Sequence, residues 1–285
     1  MTIPSSFSER VIFAIMRLMT FFAIALLATT IVLLIIAGGS VIDWHFLTAN
    51  WQQREITTGG IFPAVVGTLW IGAGVMLVSF PLGFATAVYL NEYHRASTGR
   101  RVIQVAIRNL AGVPSVIYGL FGLIVFVSFL NFNTSILSAI LTLSIMALPW
   151  IITASDEALQ SVPQQFRESS FALGATNIQT ITRVVLPLAI PGSLTGTMIG
   201  VSRSLGETAP LMMVGATFFL SKLPSSPFDQ FMALPYHIFI LATQHSSPDA
   251  PAYAAATALV LIALIFSLNL AAILLRSHFR KQKDW

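Results

Sequence analysis

The chain has 285 residues, of which 55% are hydrophobic and only 9% charged, with a net charge of +4 and no cysteine. Soluble domains carry about 25% charged residues, so this composition excludes a water-soluble globular protein, and the lack of cysteine excludes disulfides, thiol chemistry and cysteine metal sites. No charge lies between Arg17 and Asp43, Glu55 and Glu92, Arg108 and Asp156, or Asp249 and Arg276, and each gap holds at least one run of about 20 apolar residues, enough to cross a bilayer.

In chain order the sequence predicts six transmembrane helices, at 18–40, 61–90, 109–130, 134–153, 191–219 and 252–275. The fold class is an all-α integral membrane protein. A tail, 1–17, precedes the first helix. The flank of Arg10 and Arg17 resembles that of a signal peptide, but the apolar run is too long and "IIAGGSVI" is a poor cleavage site, so the helix is read as retained. Residues 18–60 form this helix and an outer loop, with Trp44 and Trp51 as interfacial anchors. The core runs from 61 to 275, and 276–285 is a second tail. "SFPLG" at 79–83 predicts a kink in the second span. "NFNT" at 131–134 supplies turn residues that split the uncharged stretch 109–155 in two.

The loops set the orientation. Arg10, Arg17, Arg95, Arg100, Arg101, Arg108, Arg167, Arg183, Arg276, Arg280, Lys281 and Lys283 fall on one side, and only Arg54 and Lys222 on the other. Both termini are therefore expected in the cytoplasm. This asymmetry accounts for the positive charge, and no nucleic acid is expected. In the outer loop 221–251, "LPYHIFILAT" reads as a short helix on the membrane surface, a docking surface for an external partner, or an ordinary capped loop. The five histidines are scattered, so no metal site is expected. Asp156 and Glu157 read as a solvated loop entry.

The loop 154–190 carries two helix signatures. One starts at Ser161, with Pro163 in the first turn and Gln164 three residues on, and ends at Gly174. The other starts at Thr176, with Gln179 three residues on, and ends before Pro187. On the first, Phe166, Ser169, Ser170 and Leu173 share a face whose middle is small. The segment "ESSFALG", nine residues, then "VVLP" resembles the Glu-Ala-Ala loop of ABC importer permeases. Glu168, Gly174, Leu186 and Pro187 match its pattern, while Ser169 and Ser170 replace its two alanines and Val184 its isoleucine. The resemblance implies the type I importer permease fold, with a coupling helix seated in a separate ATPase subunit. Phe166, Arg167, Glu168, Ser169, Ser170, Leu173, Gly174 and Pro187 would form that contact. No G-x-x-x-x-G-K-[ST] occurs in the chain, so ATP and Mg²⁺ are expected on the ATPase and no cofactor on this chain.

"GGIFPAVVGTL", "RNLAGVPSVIYGLFGL" and "SRSLGETAPL" resemble the phosphate-specific permeases, and the C-terminal segments resemble their A-type subunit. The resemblance covers about residues 55–280. It implies import of phosphate through a bacterial inner membrane, two ATPase subunits, a C-type permease partner and an external phosphate-binding protein, with lipid around the helices. Sulfate and molybdate permeases share the coupling loop. A passive channel would need no such loop, and an intramembrane enzyme would need catalytic motifs that are absent.

Within the fifth span, Arg203 and Glu207 stand out because a charge in hydrocarbon is costly. Counting twelve residues from Pro191 at roughly 1.5 Å each places Arg203 near mid-membrane with Glu207 one turn beyond. Arg203 is read as contacting phosphate in transit, and Glu207 as orienting it or accepting the phosphate proton. Alternatively the two pair with each other. Asn109, Ser115 and Tyr118 are read as pathway lining or as helix glue. Gly192, Gly196, Gly200 and Ser204 form a small stripe for close helix packing.

Overall fold

The computed structural model describes residues 7–52, 55–93, 98–220 and 222–281. Arg54, Arg95 and Lys283, and the side chains of Arg10, Arg276, Arg280 and Lys281, lie outside the described residues. Among the described residues, five helical stretches are long and apolar enough to cross a membrane: Val11–Val41, Phe62–Tyr93, Ile136–Gln160, Asn177–Leu205 and Ala250–Leu274. A sixth crossing is made if the bent pair Thr98–Ala111 and Ser115–Phe129 counts as one.

Helix α1, Phe7–Gly38, takes in most of the segment expected to be a tail. Its apolar residues point outward all round, Phe21, Phe22 and Ile36 among them, as in a helix whose solvent is lipid. After the short α2, Trp44–Thr48, capped by Asp43 accepting from the Phe46 N–H at 2.6 Å, comes α3, Phe62–Val88. It ends in a wide π turn, Tyr89–Tyr93. Helix α4, Thr98–Ala111, is amphipathic and occupies most of the expected 91–108 loop. Helix α5, Ser115–Gly122, continues as a π stretch to Phe129.

The third span therefore does not run unbroken from 109. The chain bends by 95° between α4 and α5, because Pro114 has no N–H to donate and disfavours helical backbone at Val113. Asn131 and Asn133 then take left-handed backbone, with φ of 53° and 56°, and turn the chain into α6, Ile136–Gln160.

Helix α6 overruns its expected end at 153. Ser161 is its C-cap, not the start of the next helix: its hydroxyl donates to the Ala158 carbonyl at 2.7 Å. Helix α7, Gln164–Ala172, starts after Pro163 without a side-chain cap. It closes on Gly174, whose φ is +82°. The Ala175 N–H bonds the Ser170 carbonyl at 3.2 Å and the Gly174 N–H the Phe171 carbonyl at 2.9 Å, the paired closure that a left-handed glycine permits. Helix α8, Asn177–Thr180, opens with a full capping box between Thr176 and Gln179.

No break precedes Pro187. A π turn, Ile181–Val185, joins α8 to α9, Leu186–Leu205. There the Leu186 N–H reaches back to the Ile181 carbonyl, so the widened turn absorbs a proline that would crowd an α-helix. The fifth span is thus 177–205, not 191–219. Gly206 caps it, and Pro210 belongs to a separate helix, α10, Ala209–Val214. Helices α11, Leu234–Thr243, and α12, Ala250–Lys281, complete the chain.

Three apolar clusters follow one another along α3. The first joins Phe46, Trp51, Ile61, Met232, Leu234 and Ala254 in a cap at one end of the helices. Its α11 is buried rather than lying on a surface: the Leu234 N–H donates to the Thr68 hydroxyl at 3.0 Å. The second joins α3, α6, α9 and α10 around Val75, Leu143 and Leu205. The third gathers Ala87, Leu90, Ile152, Leu159 and Val185 beneath α7.

Candidate functional site

Two backbone breaks meet beside the middle cluster. One is the α4–α5 bend at Gly112–Pro114, the other the α9–α10 gap at Gly206–Thr208. Between them lies a cavity of about 220 Å³, bordered by the bend and by Ser115, Tyr118, Met146, Trp150, Arg203 and Glu207. Irregular backbone inside a membrane protein is tolerated where it lines such a cavity. Helix α5 opens at Ser115 without a side-chain cap, so the positive end of its dipole borders the space.

Arg203 sits in the last turn of α9, and Glu207 lies beyond its end. The two are no longer one helical turn apart on a single face, and they form no ion pair with each other. Instead the Arg203 guanidinium carbon lies 4.8 Å from the centroid of the Trp150 ring. Trp150 was not singled out in the sequence, since only the approach of α6 to α9 reveals it. Ser115 borders the cavity. Tyr118 does too, but its hydroxyl donates to the Leu110 carbonyl at 2.8 Å, bracing the bend. Asn109 stays on exposed α4, outside the lining.

At the far end of α3 and α6, the short α7 and α8 present an exposed surface. Leu173 is 89% exposed, and Phe171 and Ile178 are exposed beside it. Glu168 and Ser169 also face outward, while Phe166 is half-buried. The Ser170 hydroxyl bonds that of Thr180 at 2.8 Å and joins the two helices. Arg167 departs from the role expected of it. It is 3% exposed and turns inward, donating to the Glu92 carboxylate at 2.6 and 2.7 Å and to the Leu159 carbonyl at 3.1 Å.

Asp156 is not a solvated loop residue either. It is buried on α6 and accepts from Asn91, Arg100, Gln104 and Gln160, the last at 2.7 Å. Sequence reasoning missed this hub, because its donors come from residues 52 to 65 positions away as well as from the next helical turn.

Residues 79–281 match the family described as the inner membrane component of binding-protein-dependent transport systems. The chain belongs to that family. This transport component is 37% identical over 240 residues to the phosphate transport system permease protein PstA 1 of Mycobacterium tuberculosis, covering 82% of this chain and 76% of that one. It is 31% identical to the probable ABC transporter permease protein YqgI of Bacillus subtilis, covering 84% and 85%. Its fold resembles chains of the inward-facing MetNI methionine ABC transporter (TM-score 0.62, 19% identity, 77% and 97% covered). It also resembles those of a bacterial alginate ABC transporter in complex with its periplasmic protein (TM-score 0.66, 19% identity, 93% of each covered). The permease is thus a multi-pass inner membrane protein, a transport subunit and not itself an enzyme.

In this permease the small stripe of α9 packs on α6. A Cβ at Gly192 would sit 3.0 Å from the Ala158 methyl, one at Gly200 3.3 Å from Ile151, and one at Gly196 would collide with Ala154. Ser204 is buried and donates to the Gly200 carbonyl at 3.1 Å. Close packing of this kind lets α6 and α9 hold Trp150 and Arg203 face to face.

Proposed function

We propose that the chain is the A-type permease subunit of an ATP-driven importer of inorganic phosphate. The observation that carries this reading is the 37% identity, across 82% of the chain, to a protein named as a phosphate transport permease. Both termini and the α7–α8 face lie in the cytoplasm. Two ATPase subunits holding ATP and Mg²⁺ dock on that face. A C-type permease completes the membrane path, and an external binding protein delivers phosphate.

The cavity's chemistry supports the cargo. An arginine fork matches phosphate oxygens and keeps its charge when partly desolvated. The uncapped start of α5 adds partial positive charge. The indole of Trp150 supports the guanidinium from behind while leaving its N–H groups free for an anion. At neutral pH phosphate retains a proton that sulfate lacks, and Glu207 accepts it across the cavity. A second anion lacking that proton would be repelled by the same carboxylate.

Deletion of the gene, followed by uptake of labelled phosphate at low external concentration, tests the reading. Wild-type chain restores uptake, excess sulfate or molybdate does not compete, and Arg203→Gln at equal membrane level fails to restore it. Competition by sulfate or molybdate would overturn the cargo assignment.

A further inference from the structure

We propose that Arg167 is the positioning residue through which displacement of α7 is passed to the spanning helices that wall the cavity. This rests on the reading of the chain as an ATP-driven permease. Motif spacing alone would place Arg167 at the ATPase contact, but the structure turns it inward. One guanidinium group bonds two spanning helices at once. Nη1 takes both oxygens of Glu92, on the π turn that ends α3, and Nη2 takes the Leu159 carbonyl in the last turn of α6. The two side chains are only 4% and 7% exposed. A charge pair so far removed from water does not slip, because separating it would leave both charges buried and uncompensated.

The same π turn carries a second tie to α6. Asn91 donates to Oδ1 of the Asp156 carboxylate at 3.1 Å, and Nη2 of Arg100 on α4 donates to both oxygens of that carboxylate, at 3.1 and 3.2 Å. The ends of α3, α4 and α6 are therefore joined beneath α7. Trp150, on which Arg203 rests, lies six residues before Asp156 on α6, a little under two turns. A push or pull on the exposed face of α7 reaches the cavity wall through Arg167, with Glu92 and Leu159 as its two anchorages. The fork geometry is essential: a lysine ammonium is a point charge and does not hold a carboxylate and a carbonyl in the same fixed plane.

The test uses the whole complex: this chain, its partner permease and the ATPase subunits, in proteoliposomes with the external binding protein and labelled phosphate. Arg167→Lys and Glu92→Gln are compared with wild type and with the exchange Arg167→Glu/Glu92→Arg. The readouts are ATPase stoichiometry in the purified complex, stimulation of hydrolysis by the binding protein, and phosphate moved per ATP.

The expected result is wild-type ATPase stoichiometry, loss of stimulation, and a fall of about tenfold in phosphate per ATP, partly reversed in the exchange. Unchanged stimulation and an unchanged ratio in both single variants would overturn the proposal. So would loss of the ATPase from both complexes, since the pair would then only hold α7 in shape. If the wild-type complex is stimulated but moves no phosphate, the cargo reading fails, and stimulation alone still decides the role of Arg167.

Discussion

Arg203 rests on an aromatic ring, and that contact sets what each neighbour contributes. A cation over an indole gains about 0.5–2 kcal/mol, and here the ring also limits the directions the fork can face. Trp150→Leu is expected to raise the half-saturating phosphate concentration by roughly two- to thirtyfold, the range those energies correspond to, while Trp150→Phe keeps most of the affinity. Labelled uptake over a concentration series checks this, and identical curves for Leu and wild type would remove Trp150 from the site. A second buried group, in the cap, has a pH signature. His237 is 1% exposed, and neither of its ring nitrogens has a partner among the described residues. It lies 4.4 Å from the Trp51 ring and 5.1 Å from that of Phe218. Burial, helped by the nearby charge of His245, lowers its pKa from 6.5 to about 3. The folded chain therefore binds fewer protons than the unfolded one as pH falls below 6.5. The stability this contributes is complete above that pH and is lost progressively towards pH 3. The thermal midpoint of the detergent-solubilised protein is expected to drop between pH 7 and 5, and to drop less in His237→Phe. Equal drops would clear His237.

Helices α6 and α9 meet at a line of small residues, so the pair is sensitive to single atoms. A Cβ at Gly196 has no room beside Ala154. Gly196→Val is expected to cost about 1–3 kcal/mol through overpacking and to lower uptake by splaying Trp150 from Arg203. Gly196→Ala joined with Ala154→Gly returns the lost space and is expected to recover both thermal stability and uptake. Failure of that pair to recover either would mean the contact is not the limiting one. The small stripe was legible because it repeats every four residues on one helix, as was the Thr176 box, which is a local hydrogen-bond pattern. The π turn before Pro187 was not legible, since the polar run "NIQTITR" followed by a proline reads as a loop helix and its end, not as a widened turn that carries on into the span. The end of the fifth span moved because apolar residues resume after "GETAP", so hydropathy carries one span past Gly206 and Pro210, which separate two helices. Arg167 and Asp156 show the other limit. Their partners, Glu92, Asn91 and Arg100, lie on different helices, and no spacing within one helix encodes such a meeting.

At the scale of the molecule, the direction of each helix fixes which ends lie together. Helix α3 leaves the cap at Ile61, and the π turn that follows it carries Glu92, bonded to Arg167 of α7. Helix α12 also begins in the cap, at Ala250 and Ala254, and α1 ends there, with Gly38 against the backbone of Ala255 and Ala256. The start of α1 and the end of α12 therefore lie away from the cap, on the same side as α7. The basic residues then choose the side: Arg100, Arg101, Arg108 and Arg183 belong to that end, Lys222 to the other. The bias of basic loops toward the cytoplasm predicts that α7, the start of α1 and the end of α12 face inward and the cap outward. The natural chain contains no cysteine, so a single introduced thiol is the only one to react. Lys222→Cys and Ser277→Cys are both at exposed positions. A membrane-impermeant maleimide applied to right-side-out vesicles is expected to label Lys222→Cys and spare Ser277→Cys, with the reverse in inverted vesicles. Labelling of Ser277→Cys from outside would invert the topology and place the α7–α8 face beyond the reach of a cytoplasmic ATPase. The proposal of ATP-driven import would then fall with it.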